Sequence, residues 1–447
     1  METAKRRKYI RIISFLTAVT LLFGVCAVVN AVKANKYRTL MLASSQRAIS
    51  ELCENLDSIT VSLQKGLYSS SGPMLAEICE QLNRCSSCAK VSLGQLTNED
   101  MVTDTIYKFL SQVGDFTSSV NKNAEENKPI GQKERESLGK LYEYSRSLSE
   151  GLGTVRDGCF DGSVSLEKAS KLITSDADGE SAYYVDSVND AEQSLADYPT
   201  LIYDGPFADS VLERDAEMLK NENVITFSDA RKKAAGYIGA KPTELKRESD
   251  ENGKLSMYCF SKSGKTVAVT KKGGYLGYIT NPDYSGIVSI NEKEAVKRAK
   301  AYLDKIGYKN MKESYYSIYD GVCTVNLAYE ADGITYYSDL IKVSVTLDKG
   351  EIAAVDARGY LMNHCYRNVS EPKITEKQAR ETLSDSLTFL NGKKAMIPTK
   401  YGGERLCYEL HCKDGKNQEV LIYVDTETGE ETDILLLLYS DNGVLTR

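Results

Sequence analysis

The sequence predicts a multidomain protein with an N-terminal transmembrane helix, an all-α antiparallel helical bundle, and then three tandem α+β repeats with antiparallel sheets. Three observations predict this order: an uncharged apolar run, apolar residues spaced three and four apart, and one helix-then-strands pattern used three times. The expected segments are a basic cytoplasmic tail (1–11), the anchor (12–32), the bundle (35–197), a linker (198–223), and repeats at 224–282, 286–364 and 372–447.

The apolar run 12–32 is long enough to cross a membrane. As a helix its 21 residues span roughly 32 Å, against a hydrocarbon core of about 30 Å. Five Lys and Arg residues precede it, and positive charge favours the cytoplasmic side. We therefore expect a single-pass protein with a large extracytoplasmic part. The alternative is a signal peptide cleaved near Ala27 or Ala31, although its apolar core usually runs only about 7–15 residues.

The charge distribution excludes two classes of partner. The first 38 residues carry a net charge of +7 and the whole chain −7, so residues 39–447 carry −14. Nucleic acids and anionic lipid surfaces both bind clustered Lys and Arg. We therefore expect no nucleic-acid partner, and membrane contact only through the N-terminal helix.

Four apolar stripes follow the anchor, and each lies on one helical face. Breaker segments at 69–73, 97–100 and 127–131 separate them. Four amphipathic helices with short connections bury their stripes most simply as an antiparallel bundle. A fifth helix is expected near 182–195. The stripes are Ile49, Leu52, Leu56, Ile59 and Leu63; Leu75, Ile78, Leu82, Cys85 and Ala89; Ile106, Phe109, Val113, Phe116 and Val120; and Leu138, Leu141, Leu148, Leu152 and Val155, with Ser145 in a gap.

The repeats open alike, at 225–230, 290–295 and 374–379. Each has Ile, then Thr or Asn, then an acidic or amide residue three positions later, then Ala, which predicts a capping box. Glycines 239, 307 and 392 predict the ends of the three helices. Strands should follow, joined by turns such as Asp332-Gly333, among them 351–360 in the second repeat and 405–412, 419–425 and 431–439 in the third.

No pattern predicts chemistry. His364 and His411 lack metal-motif spacing, and no nucleophile signature accompanies them, so both are interpreted as structural polar residues. Cys85 and Cys88 form a C-x-x-C pair that could be redox-active, but Cys85 lies on an apolar stripe. We therefore predict no catalytic residue, no cofactor, no metal, no small-molecule substrate and no enzymatic activity.

Four segments resemble the YpeB family of spore-germination proteins: the short basic N-terminus with its anchor, Leu93-Gly-Gln-Leu96, Phe109-Leu-Ser-Gln-Val-Gly-Asp-Phe116 and, above all, Tyr203-Asp-Gly-Pro-Phe-Ala-Asp209. The three repeats resemble PepSY domains, best at Val424-Asp-Thr-Glu-Thr-Gly429. The resemblance implies a location at the forespore and spore inner membrane, facing the cortex. It also implies a germination role in which the protein stabilises, localises or restrains a cortex-lytic peptidoglycan hydrolase of the SleB type.

The candidate interaction or hinge residues are Tyr203, Asp204, Gly205, Pro206 and Phe207, with a rigid interdomain turn as the alternative. Three other functions stay open. The chain could be an extracytoplasmic helical-bundle sensor, a PepSY protein that inhibits hydrolases or proteases generally, or an unrecognised peptidoglycan hydrolase.

Overall fold

The computed structural model describes residues 2–96, 104–125, 131–161, 215–281, 288–399, 403–440 and 443–446. The chain forms two compact units. The first comprises Met1–Gln64, Ile78–Asn123 and Gly131–Glu192, and the second comprises Lys65–Glu77, Ala124–Ile130 and Gln193–Arg447. The predicted fifth helix, most of the linker and the candidate residues 203–207 lie outside the described residues.

Four helices follow one another in the N-terminal half: α1 (Glu2–Tyr68), α2 (Gly72–Leu96), α3 (Asp104–Glu125) and α4 (Gln132–Asp161). Every member of the first two predicted stripes is at most 6% exposed. A helical N-terminal half is therefore confirmed. Tested over the described residues, no helix combines the length and the apolar content that spanning a membrane requires.

Side-chain hydrogen bonds fix the direction of α4 against α1. Gln46 Nε2 donates to the carbonyl of Cys159 at 3.3 Å, and the hydroxyls of Thr60 and Ser145 lie 2.7 Å apart. From the first contact to the second, the residue number rises along α1 and falls along α4, so the two helices run antiparallel. Ser145 fills the gap in the fourth stripe because its buried hydroxyl has this partner on α1.

The direction of α3 against α2 follows in the same way. Ser86 Oγ donates to the carbonyl of Leu110 at 2.6 Å, and Thr117 Oγ1 donates to Asn83 Oδ1 at 2.6 Å. These helices are also antiparallel. The sequence predicts this arrangement from the apolar stripes alone, whereas the cross-helix hydroxyls had no sequence signal.

The second unit holds a sheet in which thirteen described strands are joined in the order β1-β2-β3-β4-β8-β7-β6-β5-β13-β12-β11-β10-β9. Neighbours in this order are antiparallel. Their bounds are β1 Lys246–Arg247, β2 Met257–Lys262, β3 Lys265–Thr270, β4 Leu276–Thr280, β5 Met311–Tyr319, β6 Val322–Ala331, β7 Ile334–Thr346, β8 Ile352–Asp356, β9 Leu387–Pro398, β10 Glu404–Asp414, β11 Glu419–Asp425, β12 Glu431–Ser440 and β13 Gly443–Thr446.

The sheet also closes on part of itself. β9 pairs with β10 and, in parallel, with β7, where Ile334, Thr335 and Tyr336 lie beside Lys394, Ala395 and Met396. Eight strands of the second and third repeats therefore form a ring. The sequence predicts antiparallel sheets in separate repeats, whereas the strands of all three repeats share one sheet and one pairing is parallel. Because the repeats are joined, their edge strands pair with one another. If each repeat had its own sheet, these backbone groups would lie unpaired on open edges.

The repeat helices begin where predicted. α5 (Phe227–Ile238) and α6 (Glu292–Ile306) are capped by Thr226 and Asn291, and they end at Gly239 (φ +65°) and Gly307 (φ +101°). The third helix does not reach Gly392. α8 (Glu376–Arg380) has only five residues, and Gly392 lies within β9. After the helix the chain turns at Ser384, and the alternating residues that follow pair along β10.

The predicted strand 351–360 is also divided. β8 ends at Asp356, and residues Arg358–Asn363 form α7. Asp356 Oδ1 accepts the backbone N–H of Arg358 at 3.0 Å, and its carboxylate pairs with the Arg358 guanidinium. A side chain that satisfies the first amides of a helix favours a helix start over a continued strand.

Two of the apolar clusters in the core of this unit show how its strands are covered. One contains alanines of α5 and α6, among them Ala230, Ala234, Ala295 and Ala299, packed with strands of the first two repeats. The other is drawn from β6, β7, β9, β10, β11 and β12, and it includes Tyr337, Cys407 and Tyr423. The helices of the first two repeats thus cover their strands, while ring strands cover one another.

Candidate functional site

One hairpin turn recurs in all three repeats. The backbone N–H groups of Thr270, Thr346 and Asp425 each donate to the carbonyl five residues later, at 2.8–2.9 Å. The carbonyl of the next residue in each repeat then accepts the N–H of the Ile that precedes the helix cap. The three acceptor and donor pairs are Lys271 with Ile225, Leu347 with Ile290, and Thr426 with Ile374.

This turn joins the last hairpin of each repeat to the start of its helix. Thr270 and Thr346 also accept the N–H five residues later through their hydroxyls, at 2.8 and 3.2 Å. The third repeat has Asp425 instead, whose Oδ1 accepts the N–H of Glu427 at 2.6 Å. Asp425 is buried and forms an ion pair with Arg405 at 3.1 Å. The shared turn is structural, and the third repeat adds a charge to it.

A cluster of charged side chains links the second repeat to the third. Asp339 on β7 is fully buried and receives both terminal nitrogens of Arg367, at 2.9 and 2.7 Å. Arg367 also bonds Glu404 at the start of β10, at 2.8 Å. Burial opposes the charge of Arg367, but the hydrogen bonds to Glu404 and Asp339 raise its pKa above the ordinary value. This cluster of Asp339, Arg367 and Glu404, which we call the charged joint, connects the second repeat to the third.

His364 belongs to the same joint. Its Nδ1 lies 2.7 Å from Asp339 Oδ2, its ring stacks on Tyr360 at 4.4 Å, and the ring of Tyr329 meets it edge-on at 4.7 Å. These contacts agree with the prediction of a structural histidine. Arg367 had no sequence signal, because its partners lie 28 and 37 positions away in the chain.

His411 lies in a row of side chains that crosses four adjacent strands. Asn391 Nδ2 is 3.2 Å from His411 Nδ1, His411 Nε2 is 2.6 Å from Glu419 Oε2, and the Tyr439 hydroxyl donates to the same oxygen at 2.5 Å. The pKa of Glu419 is lowered by the hydrogen bond from Tyr439 and by the hydrogen bond and charge of His411. Both ring nitrogens of His411 are engaged, so the pair is poorly placed to move a substrate proton.

A third polar cluster among the ring strands joins the buried Tyr337 and Glu409 to the exposed Lys393. The Tyr337 hydroxyl donates to Glu409 Oε2 at 2.6 Å, and Lys393 Nζ lies 3.1 Å from that hydroxyl and 3.3 Å from Glu409 Oε1. Burial, followed by the charge of Glu409, raises the pKa of Tyr337 well above 10. Tyrosine, lysine and glutamate here satisfy one another, as buried polar groups must.

Most of the cysteines are buried. All eleven are free thiols in the structure, and burial raises the pKa of Cys53, Cys79, Cys323 and Cys407 to about 12. Burial also raises the pKa of Cys85, the opposite of what redox-active C-x-x-C pairs require. Among the described residues, no group of three or more His, Cys, Asp or Glu side chains could hold a metal ion.

Two family models match the chain. "YpeB N-terminal" matches residues 33–168, and "YpeB sporulation, PepSY1 and PepSY2 domains" matches residues 185–370. The first range holds most of the four helices, and the second holds the first two repeats. The third predicted repeat, 372–447, lies beyond both ranges.

Curated relatives cover most of the chain. The Sporulation protein YpeB of Halalkalibacterium halodurans is 24% identical over 396 residues, which is 87% of this chain and 88% of that protein. The protein of the same name from Bacillus subtilis is 24% identical over 400 residues, with the same coverage. The solved Bacillus megaterium YpeB C-terminal domain is 20% identical with a TM-score of 0.45, covering 48% of this chain and all of that domain. The chain belongs to the YpeB family of sporulation proteins, with PepSY domains in its C-terminal half.

Proposed function

We propose that this protein acts in spore germination as a non-enzymatic, membrane-held partner of a cortex-lytic peptidoglycan hydrolase of the SleB type. It stabilises and localises that enzyme, and it restrains the enzyme through its PepSY repeats. The observation that carries the proposal is membership of one sporulation family along both the helical part and the first two repeats. Residues 203–207 are proposed as the hinge ahead of the repeats.

The composition of α1 supports attachment to the spore inner membrane. Residues 12–32 contain no charged side chain and follow a basic tail. Large apolar side chains in this part of α1 face outward, with Phe15 and Leu21 both 71% exposed and Phe23 70% exposed. A lipid environment would remove this apolar surface from water. We propose that the N-terminus is cytoplasmic and that the repeats face the cortex.

The polar clusters support a binding role over a catalytic one. Asp339, Glu409 and Glu419 each face specific donors within the fold, and both nitrogens of His411 have partners. Groups engaged in this way stabilise a scaffold. A catalytic acid or base must instead reach the proton that it transfers.

The test is an immunoblot for the hydrolase in dormant spores that produce the chain truncated after residue 223. An N-terminal tag reports the truncated chain, and the hydrolase transcript is measured in the same spores. The proposal predicts a strongly reduced hydrolase level with an unchanged transcript. A matched control is the full-length chain with the exposed Glu430→Gln, which should leave the enzyme level at the wild-type value. A normal hydrolase level beside a well-expressed truncated chain would contradict the proposal.

A further inference from the structure

The third repeat lacks most of the helix that covers the other two. α5 has 12 residues and α6 has 15, whereas α8 has five. Ala379 is fully buried four residues after its cap, as are Ala230 and Ala295 in the first two repeats. The similarity ends there, because the chain leaves the helix before Thr382. The third repeat therefore places less helix against its strands than the other two repeats do.

The corner between α1 and α2 contacts the third repeat close to the end of this short helix. Residues Lys65–Glu77 belong to the same compact unit as the repeats. Within this unit the Ser70 hydroxyl donates to the carbonyl of Thr382, just beyond the end of α8. The Tyr68 hydroxyl donates to Asp414 Oδ2 at 2.8 Å, at the end of β10. Tyr68 is only 4% exposed.

Glu431 is the centre of this contact. Its carboxylate accepts the Ser69 hydroxyl at 2.7 Å, the Ser70 hydroxyl at 2.9 Å, the Ser70 N–H at 3.0 Å and the Ser71 N–H at 3.1 Å. The residue is 3% exposed. A buried carboxylate needs such donors, because burying an unpaired charge is very costly.

The position of Glu431 is polar only in the third repeat. Counted from the shared turn, it is equivalent to Leu276 in the first repeat and Ile352 in the second. Both of those side chains belong to the apolar cluster that includes the helix alanines. In the third repeat a carboxylate thus replaces an apolar residue. The short helix leaves space there for the corner at Ser69–Ser71, which we call the serine corner.

The serine corner needs the carboxylate in return. Ser70 and Ser71 lie between the two helices, so helical backbone bonds do not satisfy their N–H groups. Ser71 caps α2 through its hydroxyl, which accepts the N–H of Met74 at 3.2 Å. Its own amide is directed to Glu431. The serine amides thus satisfy the buried carboxylate, and the carboxylate accepts from amides that are only partly exposed to water.

We propose that the third repeat carries a docking socket for a hydroxyl-rich helix start, formed by Thr382, Asp414 and Glu431. Residues Tyr68–Ser71 of the same chain are its occupant. The socket fixes the corner between α1 and α2 to the repeat whose own helix is shortest. This inference does not depend on the hydrolase, because every group in it belongs to this chain.

Hydrogen–deuterium exchange on the full-length chain tests the socket at the Ser70 and Ser71 amides. In the wild type we expect protection there, since Glu431 is their acceptor. Glu431→Gln should speed exchange of both amides at least tenfold. The matched control is the neighbouring exposed Glu430→Gln, which should change neither amide. Unprotected wild-type amides, or equal protection in Glu431→Gln, would overturn the proposal.

A second variant covers the case in which Glu431→Gln disrupts the sheet, which would appear as lost protection along β10 and β11. Ser70→Ala removes only the hydroxyl that bonds Thr382 and Glu431. It should speed exchange of the Ser71 amide several-fold while the strands stay protected. Ser44→Ala, at an exposed position of α1, is its control. An unchanged Ser71 rate in Ser70→Ala would count against the socket.

Discussion

The second and third repeats have the same kind of hairpin turn, but different elements cover their strands. In the second, the 15-residue α6 packs Ala295, Ala299 and Leu303 against its strands. In the third, a five-residue helix is followed by strand β9, and buried carboxylates appear at Asp425, Glu409 and Glu431. The comparison teaches that the turn and helix start define the repeat, whereas the cover over its strands can be exchanged. Where the helix is short, ring strands pack against one another, and the buried Glu431 is satisfied by Ser69–Ser71.

The largest expected effect is at the charged joint between these two repeats. Arg367→Ala removes both guanidinium hydrogen bonds from the fully buried Asp339, which keeps only His364 as a partner, and also frees Glu404. Removing the arginine from a buried ion pair should lower the free energy of unfolding by about 3–5 kcal/mol. Urea unfolding followed by tyrosine fluorescence measures this, since the chain has 29 tyrosines and no tryptophan. Lys312→Ala, at a pair whose lysine is 63% exposed, should cost about 0–1 kcal/mol. Equal losses would show that the joint is not buried.

Glycines in the shared turn separate backbone strain from side-chain contacts. Gly350 (φ +70°) and Gly429 (φ +77°) are equivalent, but a Cβ at Gly350 would lie 1.8 Å from Arg298 Nη1. At Gly429 the nearest atom is Ile374 Cδ1 at 3.6 Å. Gly429→Ala should cost about 1–2 kcal/mol from the left-handed backbone alone. Gly350→Ala should cost roughly 1 kcal/mol more, because Arg298 loses its bond to the Lys349 carbonyl.

The control for both glycine variants is Gly415→Ala, where an added Cβ meets nothing within 4 Å. Its free energy of unfolding should stay within about 0.5 kcal/mol of the wild type. If Gly350→Ala and Gly429→Ala gave the same urea midpoint, Arg298 would have no part in the turn of the second repeat.

The second repeat also contains a buried polar group that the structure leaves unpaired. Asn326 on β6 is fully buried, and neither Nδ2 nor Oδ1 has a hydrogen-bond partner among the described residues. Asn326→Leu should therefore raise the free energy of unfolding by about 1–2 kcal/mol. Asn363→Leu is the matched control with the opposite sign, because Asn363 Nδ2 donates to the carbonyls of Ser338 and Gly359. Thermal unfolding of the two variants tests this prediction. A lower free energy of unfolding in Asn326→Leu would show that the amide has a hydrogen-bond partner.

The smallest expected difference is at the helix caps. Thr375 accepts the Gln378 N–H, and the Gln378 side chain accepts the Thr375 N–H in return, which forms a complete capping box. Asn291 accepts the N–H of Glu294 at 3.0 Å. Thr375→Ala and Asn291→Ala should each cost about 0.5–2 kcal/mol. We expect the larger value for Thr375, since its short helix has fewer other bonds, and urea midpoints would show the order.

The sequence predicts those features that depend on near neighbours. Helical periodicity predicted the four N-terminal helices, and the capping pattern predicted three helix starts. Both patterns can be recognised because each depends on residues only a few positions apart. The length of α8 was predicted wrongly, since Gly392 resembles a helix end but lies in a strand that forms only by pairing with β10. The closed ring, Arg367 with Asp339, and Ser69–Ser71 with Glu431 join positions far apart in the chain. No local pattern could predict them.

We propose a physical partnership between this protein and a cortex-lytic hydrolase. The most direct measurement is recovery of the hydrolase with a tagged full-length chain from dormant spores after crosslinking in place, with a tagged unrelated inner-membrane protein as the control. The account predicts that the hydrolase is recovered with the chain and not with the control. Absence of the hydrolase from the crosslinked chain, in spores that contain normal amounts of both proteins, would contradict it.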